Sequence, residues 1–345
     1  MANNQSIPLR PLGKTGMKVS NLCLGAMMFG AWGNSDHAES IKIIHKALDS
    51  GINFIDTADV YSQGESEEIV GKALKGKRND VILATKVHSP MGENPNHVGN
   101  SRRWIMQEVD NSLKRLQTDW IDLYQIHRPD PDTDIDETLG ALSDLLHMGK
   151  IRAIGSSTFP ASQIVEAQWT AEKRNRERFL CEQPPYSMLI RGVEDDVLPT
   201  IENYGMGAIV WSPLAGGWLS GKWRKGQPAP DSSRKDRRPA QFDLSLPGNK
   251  RKLDAADALA KLAEKNDMSL VTLAIAFVIR HPAVTSAIIG PRTMDQLTSQ
   301  LEAANINLSD AVLDEIDKIV PPGTNINPTE FSWDNPALHS GNRRR

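Results

Sequence analysis

Ile121-Asp122-Leu123-Tyr124-Gln125-Ile126-His127 is an apolar run of strand length that ends in a histidine. Two earlier runs share its form: Asn53-Phe54-Ile55-Asp56, which leads into Tyr61, and Val81-Ile82-Leu83-Ala84-Thr85, which leads into Lys86. Runs this short, bounded by turn signals and separated by helical stretches, read as buried parallel strands. Asp56, Tyr61, Lys86 and His127 then stand at or just past the C-terminal ends of successive strands. In a (β/α)₈ barrel that end is the rim where side chains from separate strands converge on one substrate.

Outward from these runs, strand and helix patterns alternate almost to the end of the chain. Leu22-Cys23-Leu24-Gly25 precedes a helix that starts near Asp36, carries Ile41, Ile44, Ala47 and Leu48 on one face, and stops at Gly51. Further strands are expected at 52–56, 81–86, 121–127, 151–155, 179–183, 208–211 and 286–289. Helices are expected at about 67–74, 101–116, 135–147, 160–174, 194–203, 251–265 and 269–280. Gly13-Lys14 and Thr15-Gly16 punctuate short apolar stretches, which predicts a hairpin ahead of the main fold. Eight strand–helix units predict an α/β chain closed as a TIM barrel. A doubly wound sheet is the competing arrangement, weakened by the lack of Gly-x-Gly-x-x-Gly after an early strand. The expected organisation is one domain over 1–345: hairpin at about 7–21, barrel at about 22–305, and a C-terminal helix and tail at about 306–345.

One stretch breaks the rhythm. Residues 214–248 are rich in Gly, Pro and charge, too polar to read as a core element. A loop this long in a compact fold is usually functional or disordered. Following the seventh barrel strand, it falls on the catalytic rim and is expected to close over a ligand as a flap.

Composition narrows the function classes. The 345 residues, 39% hydrophobic and 24% charged, suffice for a sizeable core, and a net charge of −3 gives no reason to expect a nucleic-acid partner. No apolar run approaches the roughly 20 residues needed to cross a bilayer, so no membrane association is expected. Met1-Ala2-Asn3-Asn4-Gln5-Ser6 lacks the charged and apolar regions of a secretion signal, and a cytoplasmic location is expected. Cys23 and Cys181, each inside an expected strand, read as buried free thiols. Oligomeric state is not legible.

Three segments carry a family resemblance: 51–61 (Gly-Ile-Asn-Phe-Ile-Asp-Thr-Ala-Asp-Val-Tyr), 122–130 (Asp-Leu-Tyr-Gln-Ile-His-Arg-Pro-Asp) and 211–215 (Trp-Ser-Pro-Leu-Ala). They resemble the aldo-keto reductase family, bacterial NADP(H)-dependent oxidoreductases among them, over about residues 7–320. The resemblance implies a (β/α)₈ barrel that uses a nicotinamide cofactor, usually NADPH, to reduce aldehydes and ketones. It implies that Tyr61 is the general acid, Lys86 the cation that tunes the phenol, Asp56 the partner of Lys86, and His127 the residue that orients the substrate carbonyl. The chemistry is consistent: a free phenol near pKa 10 is a reluctant proton donor, and a neighbouring cation eases its release.

For the cofactor, the resemblance implies that Ser157, Thr158 and Gln183 meet the nicotinamide carboxamide and that Trp211 stacks on the ring. Thr158 stands where the family usually has Asn, and a hydroxyl cannot copy both ends of an amide. Ser212, Leu214, Gly216 and Gly217 match a loop that approaches the pyrophosphate. Gly290 and Arg292 open a helix bearing Gln296 and Gln300, where the resemblance implies contacts to the adenosine 2′-phosphate and adenine. Met27, Trp32, Trp218 and Trp333 are expected to form an apolar substrate mouth open to bulky ketones, xenobiotics included; rim packing accounts for Met27 and Trp32 as well. Phe331 and Trp333 are expected to fold over the pocket, and Arg128 either favours an acidic substrate or is structural. His88 and His97 show no metal-ligand spacing. Two other functions compete: a nicotinamide-binding regulator or sensor, as the β-subunits of potassium channels resemble, and a Schiff-base aldolase built on Lys86, which leaves Tyr61 without a role.

Overall fold

The structure is a computed structural model that describes residues 6–230, 233–328 and 339–343. β1 (Leu9–Pro11) and β2 (Lys18–Ser20) pair antiparallel as the N-terminal hairpin. The next eight strands close into a parallel barrel: β3 (Leu22–Gly25), β4 (Phe54–Asp56), β5 (Ile82–Val87), β6 (Ile121–Ile126), β7 (Ile151–Ser157), β8 (Cys181–Gln183), β9 (Gly207–Val210) and β10 (Val284–Ile289), with β10 returning to β3. This is the (β/α)₈ TIM barrel that the alternating pattern predicts.

The crossover helices are α1 (His37–Asp49), α2 (Glu65–Ala73), α3 (Arg102–Leu116), α4 (Ile135–His147), α5 (Ala161–Arg174) and α6 (Val197–Tyr204). After β9 come α7 (Ser233–Arg237), α8 (Pro247–Lys265) and α9 (Leu270–Arg280), and after β10 come α10 (Met294–Leu301), α11 (Asp310–Ile319) and a short α12 (Ser340–Arg343). Side-chain caps set several of these starts: Asp36 accepts from the Glu39 backbone, Ser101 from Trp104 and Asp134 from Asp136.

Period-two alternation along the strands explains where chemistry begins. Cys23, Phe54, Ala84, Leu123, Ala153, Cys181 and Ile209 point inward and fill the lower barrel, and Leu12 and Val19 of the hairpin close it from below. Two residues further along the same inward faces stand Asp56, Lys86, Gln125 and Gln183. The lining therefore turns from apolar to polar within one repeat. Outward residues, among them Ile55, Leu83, Tyr124, Ile126 and Ile154, pack against the helices in the larger core. Cys23 and Cys181 are buried and free.

The insertion differs from the unpacked loop its composition predicts. Trp218, Leu219, Trp223 and Phe242 are buried. Their rings stack at centroid separations of 4.2 Å for Trp218–Trp223, 5.5 Å for Trp218–Phe242 and 5.6 Å for Trp223–Phe242. Lys252 of α8 lies over the Trp218 ring at 4.5 Å and donates to the Gln241 carbonyl at 3.0 Å. α8 itself starts four residues earlier than expected, at Pro247, which suits the first helical turn. A packed aromatic cluster continuous with the larger core thus stands where a polar loop was expected. Its aromatic residues are too far apart in sequence to show periodicity.

Candidate active site

Lys86 ends the inward face of β5 and is fully buried. Its ammonium donates to Asp56 Oδ2 at 2.6 Å, to the Thr57 carbonyl at 2.7 Å and to the Tyr61 hydroxyl at 3.4 Å. The chain after β4 stays against β5 rather than leaving it: Thr57 N–H donates to the Ala84 carbonyl at 2.9 Å and Asp59 N–H to the Lys86 carbonyl at 3.2 Å. That run delivers Tyr61 beside Lys86. Tyr61 ring centroids lie 6.0 Å from Trp32 and 5.8 Å from His127, the latter edge-on.

Gln125 was not singled out from the sequence, yet it belongs to the site. Its amide donates to Asp56 Oδ1 at 3.3 Å, and Gln183 Nε2 donates to the same oxygen at 2.8 Å. The signal was present in the alternation, because Leu123, Gln125 and His127 share one face of the strand and its extension. Both carboxylate oxygens of Asp56 are thereby engaged, which fixes the ammonium it holds.

The electrostatics follow from burial. Burial pushes the Tyr61 phenol above its ordinary value, with Lys86 pulling against it and Asp56 adding to it. Burial alone would lower Lys86, but the charges of Asp56 and Tyr61 outweigh it and hold the ammonium above its ordinary range. Burial, with the charges of Arg128 and Lys86, drives His127 well below the ordinary histidine value, so the imidazole is neutral. Its Nδ1 is buried without a partner. The group can hold a proton on a phenol, keep a cation 3.4 Å from it, and offer one imidazole nitrogen nearby.

On the far side of the barrel mouth, Ser157 Oγ donates to the Gln183 carbonyl at 3.0 Å and lies 3.4 Å from Thr158 Oγ1. Gln183 is turned toward Asp56 and Gln125 in this arrangement, so this residue joins the Asp56–Lys86–Tyr61 cluster to the Ser157–Thr158 turn. Trp211 is half-buried, with its indole nitrogen buried and unpartnered. Beyond it Ser212 Oγ accepts from the Gly216 N–H at 3.0 Å, and Leu214, Gly216 and Gly217 are half-buried. No heavy atom lies within 4 Å of where a Cβ would stand on Gly217 or Gly290, which leaves a cradle along that wall. At the start of α10, Gln296 Oε1 accepts from the Arg292 N–H at 2.8 Å, Asn34 donates to the Arg292 carbonyl at 3.0 Å, and Gln300 Oε1 is buried without a partner. A half-exposed indole, an open glycine wall, an arginine at a helix start and an unpartnered amide oxygen suit a dinucleotide's ring, diphosphate and adenosine ends.

The expected substrate mouth divides. Trp32 and Met27 are half-buried at the rim, and Trp32 lies beside Tyr61. Trp218 does not belong there: it is 1% exposed, because the rings of Trp223 and Phe242 and the side chain of Lys252 bury it more fully than an open mouth could. Phe331 and Trp333 lie outside the described residues. Arg128 is half-buried and donates to the His127 carbonyl at 2.5 Å. Among the insertion's basic residues, Arg224 pairs with Asp257 and Glu264, and Lys225 pairs with Asp254 at 2.7 Å, so these two charges are spent on α8. Among the described residues no cluster of His, Cys, Asp and Glu is placed to hold a metal ion, and no helix is long and apolar enough to cross a membrane.

Comparison with known proteins agrees with this geometry. The Aldo/keto reductase family profile matches residues 21–321. The chain is 39% identical to the uncharacterized oxidoreductase YrpG of Bacillus subtilis over 334 residues, 93% of this chain and 98% of the relative. It is 37% identical to the aldo-keto reductase YhdN of the same organism, over 89% of this chain and 91% of the relative. A protein of Arabidopsis thaliana named a probable voltage-gated potassium channel subunit beta is 36% identical, over 90% of this chain and 95% of the relative. The family match over most of the parallel eight-stranded barrel, with relatives named oxidoreductase and aldo-keto reductase, makes the chain an oxidoreductase by class. This chain belongs to the aldo-keto reductase family.

Proposed function

We propose that the protein reduces aldehydes or ketones to alcohols with NADPH, and that Tyr61 gives the proton. The observation that carries this reading is the chain of contacts Asp56 Oδ2 to Lys86 Nζ at 2.6 Å and Lys86 Nζ to Tyr61 OH at 3.4 Å. NADPH supplies hydride to the carbonyl carbon. Tyr61 gives its proton to the carbonyl oxygen, and the phenolate left behind is stabilised by the Lys86 ammonium. Neutral His127 keeps one N–H to donate to the substrate oxygen, and so orients it. Ser157, Thr158 and Gln183 would hold the carboxamide, Trp211 would stack on the ring, and the wall from Ser212 to Gly217 would take the diphosphate.

Arg292, with Gln296 and Gln300, takes the adenosine 2′-phosphate end, which favours NADPH over NADH. Arg237 adds to that field, since the charges of Arg238 and Arg292 depress its guanidinium after burial does. The apolar edge formed by Trp32 and Met27 suits a hydrophobic carbonyl compound, and the cytoplasm is the setting we propose. NADPH oxidation against a panel of aldehydes and ketones tests the reading, and no turnover with any of them would contradict it.

One relative supports a second reading. The Arabidopsis protein's name assigns it to a channel, and a nicotinamide-dependent sensor on this scaffold would bind NADPH tightly yet turn over slowly. A kcat below one per minute on every carbonyl tested, with NADPH bound, would favour that reading.

A further inference from the structure

β7 and β8 run in register, with Ser156 opposite Glu182 and Ser157 opposite Gln183. Alternation therefore sends Ser157 and Gln183 into the barrel mouth, and Ser156 and Glu182 behind the sheet. Glu182 is fully buried there, and nothing in the proposed chemistry uses it. Its Oε2 accepts from the Ser156 hydroxyl at 2.5 Å, and its Oε1 accepts from the Phe159 backbone N–H at 3.2 Å. Between these two anchor points lies Thr158 at φ +61°.

That conformation asks for an explanation. A β-branched residue at positive φ is a steric outlier, and such strain persists only where the surroundings over-determine it. Here both faces of β8 act on one turn. In front, the Gln183 carbonyl accepts from Thr158 N–H at 3.2 Å and from Ser157 Oγ at 3.0 Å. Behind, the Glu182 carboxylate ties down the residues on either side of the Ser157–Thr158 pair. Burial raises this carboxyl to about 7, against the pull of Ser156, the Phe159 and Thr158 backbone and the charge of Arg128 from the loop after β6. A buried carboxyl retained at such cost beside a strained turn is accounted for by what it holds.

We infer that Glu182 is a positioning residue for the nicotinamide end of the cofactor: it holds Thr158 in its left-handed turn, so that the Ser157 and Thr158 hydroxyls face the carboxamide. The inference rests on the proposed reading of Ser157 and Thr158 as carboxamide contacts. Thr158 thereby serves where an asparagine, at ease with positive φ, would need less support.

The test compares NADPH with 2′-phospho-ADP-ribose, the same cofactor without its nicotinamide. Glu182→Leu keeps the bulk and removes both acceptors. It raises the Kd for NADPH by about tenfold, the scale of two lost hydrogen bonds, and leaves the Kd for the fragment within about twofold. Glu182→Gln stays close to the native protein, because its amide oxygen still accepts from Phe159 while Ser156 Oγ turns to accept from the amide nitrogen. Adding Thr158→Asn to Glu182→Leu recovers more NADPH affinity than Thr158→Asn gains alone. If Glu182→Leu does not fold, Ser156→Ala carries the test, with a loss of about threefold for NADPH and none for the fragment. Equal loss of both ligands, or of neither, shows a residue that supports only the fold and overturns the inference. A Ser157→Ala variant with native NADPH affinity would instead remove the carboxamide reading, and this inference with it.

Discussion

The rim over β4–β6 and the insertion after β9 face each other across one barrel mouth, and they are built in different ways. The rim is local: Asp56, Lys86 and Gln125 each sit at the upper end of a strand whose lower end is apolar, and register alone brings them together. The insertion is assembled over distance, by Trp218, Trp223 and Phe242 stacking on one another and on Lys252. One region is positioned by backbone pairing, the other by side-chain packing. The consequence is a division of labour in which chemistry should tolerate damage to the insertion, and the insertion should not tolerate loss of its rings.

The largest effect expected from that division is on stability. Trp218→Ala removes one ring of the three-ring cluster and should cost about 3–5 kcal/mol, the range for truncating a buried tryptophan. At temperatures where the variant remains folded, kcat should stay within a few-fold of native. Denaturant unfolding and steady-state kinetics on one sample check both halves. A collapse of kcat in the folded variant would show that the insertion belongs to the chemical rim, and the comparison would break.

Lys86→Met is the converse. It removes the cation that stabilises the phenolate and should lower kcat by at least about a hundredfold, the scale of general acid catalysis, while NADPH still binds. Asp56 would then be a buried charge without its partner, so a melting curve must accompany the kinetics.

Arg292→Ala sharpens the comparison on the cofactor side. A charge-assisted fork to the 2′-phosphate contributes roughly 1.5–3 kcal/mol, so the Kd for NADPH should rise about ten- to hundredfold and that for NADH hardly change. Equal weakening of both would make Arg292 a structural residue of the α10 start.

The smallest effect concerns pH. Burial raises Glu182 from 4.5 to about 7, so the fold prefers its protonated form. The stability this confers is fully present below the unfolded value, and is lost as pH rises through about 7. Tm should therefore fall between about pH 5 and about pH 8, and the fall should be smaller in Glu182→Gln, which does not titrate. An identical slope in both proteins would contradict the assignment of that titration to Glu182.

How much of this was legible follows from the same contrast. The rim residues could be read because the runs at 53–56, 81–86 and 121–127 are short, largely apolar and each closed by a polar side chain, and the strands because such runs alternate with helical patterns. Helix starts such as Asp36 and Ser101 announced themselves through their caps. Gln125 was hidden because apolar Ile126 follows it and the run closes on His127 instead, although alternation places it on the Leu123 and His127 face. Trp218 was misread for a deeper reason. Its partners, Trp223, Phe242 and Lys252, are spread over thirty residues of largely polar sequence, and no local pattern reports a contact made by tertiary packing. Glu182 was overlooked likewise, since a charged residue inside a strand gives no hint that Ser156 and the Phe159 backbone wait behind the sheet.

The central claim is that Tyr61 delivers the proton while Lys86 and Asp56 hold its charge. Tyr61→Phe keeps the ring, its contacts with Trp32 and His127, and the ion pair beneath, and removes only the hydroxyl. Single-turnover oxidation of bound NADPH, followed at saturating carbonyl substrate, isolates the chemical step from release. The account predicts a rate at least about a hundredfold lower than native with an unchanged NADPH Kd. A Tyr61→Phe enzyme that turns over at close to the native rate would contradict it.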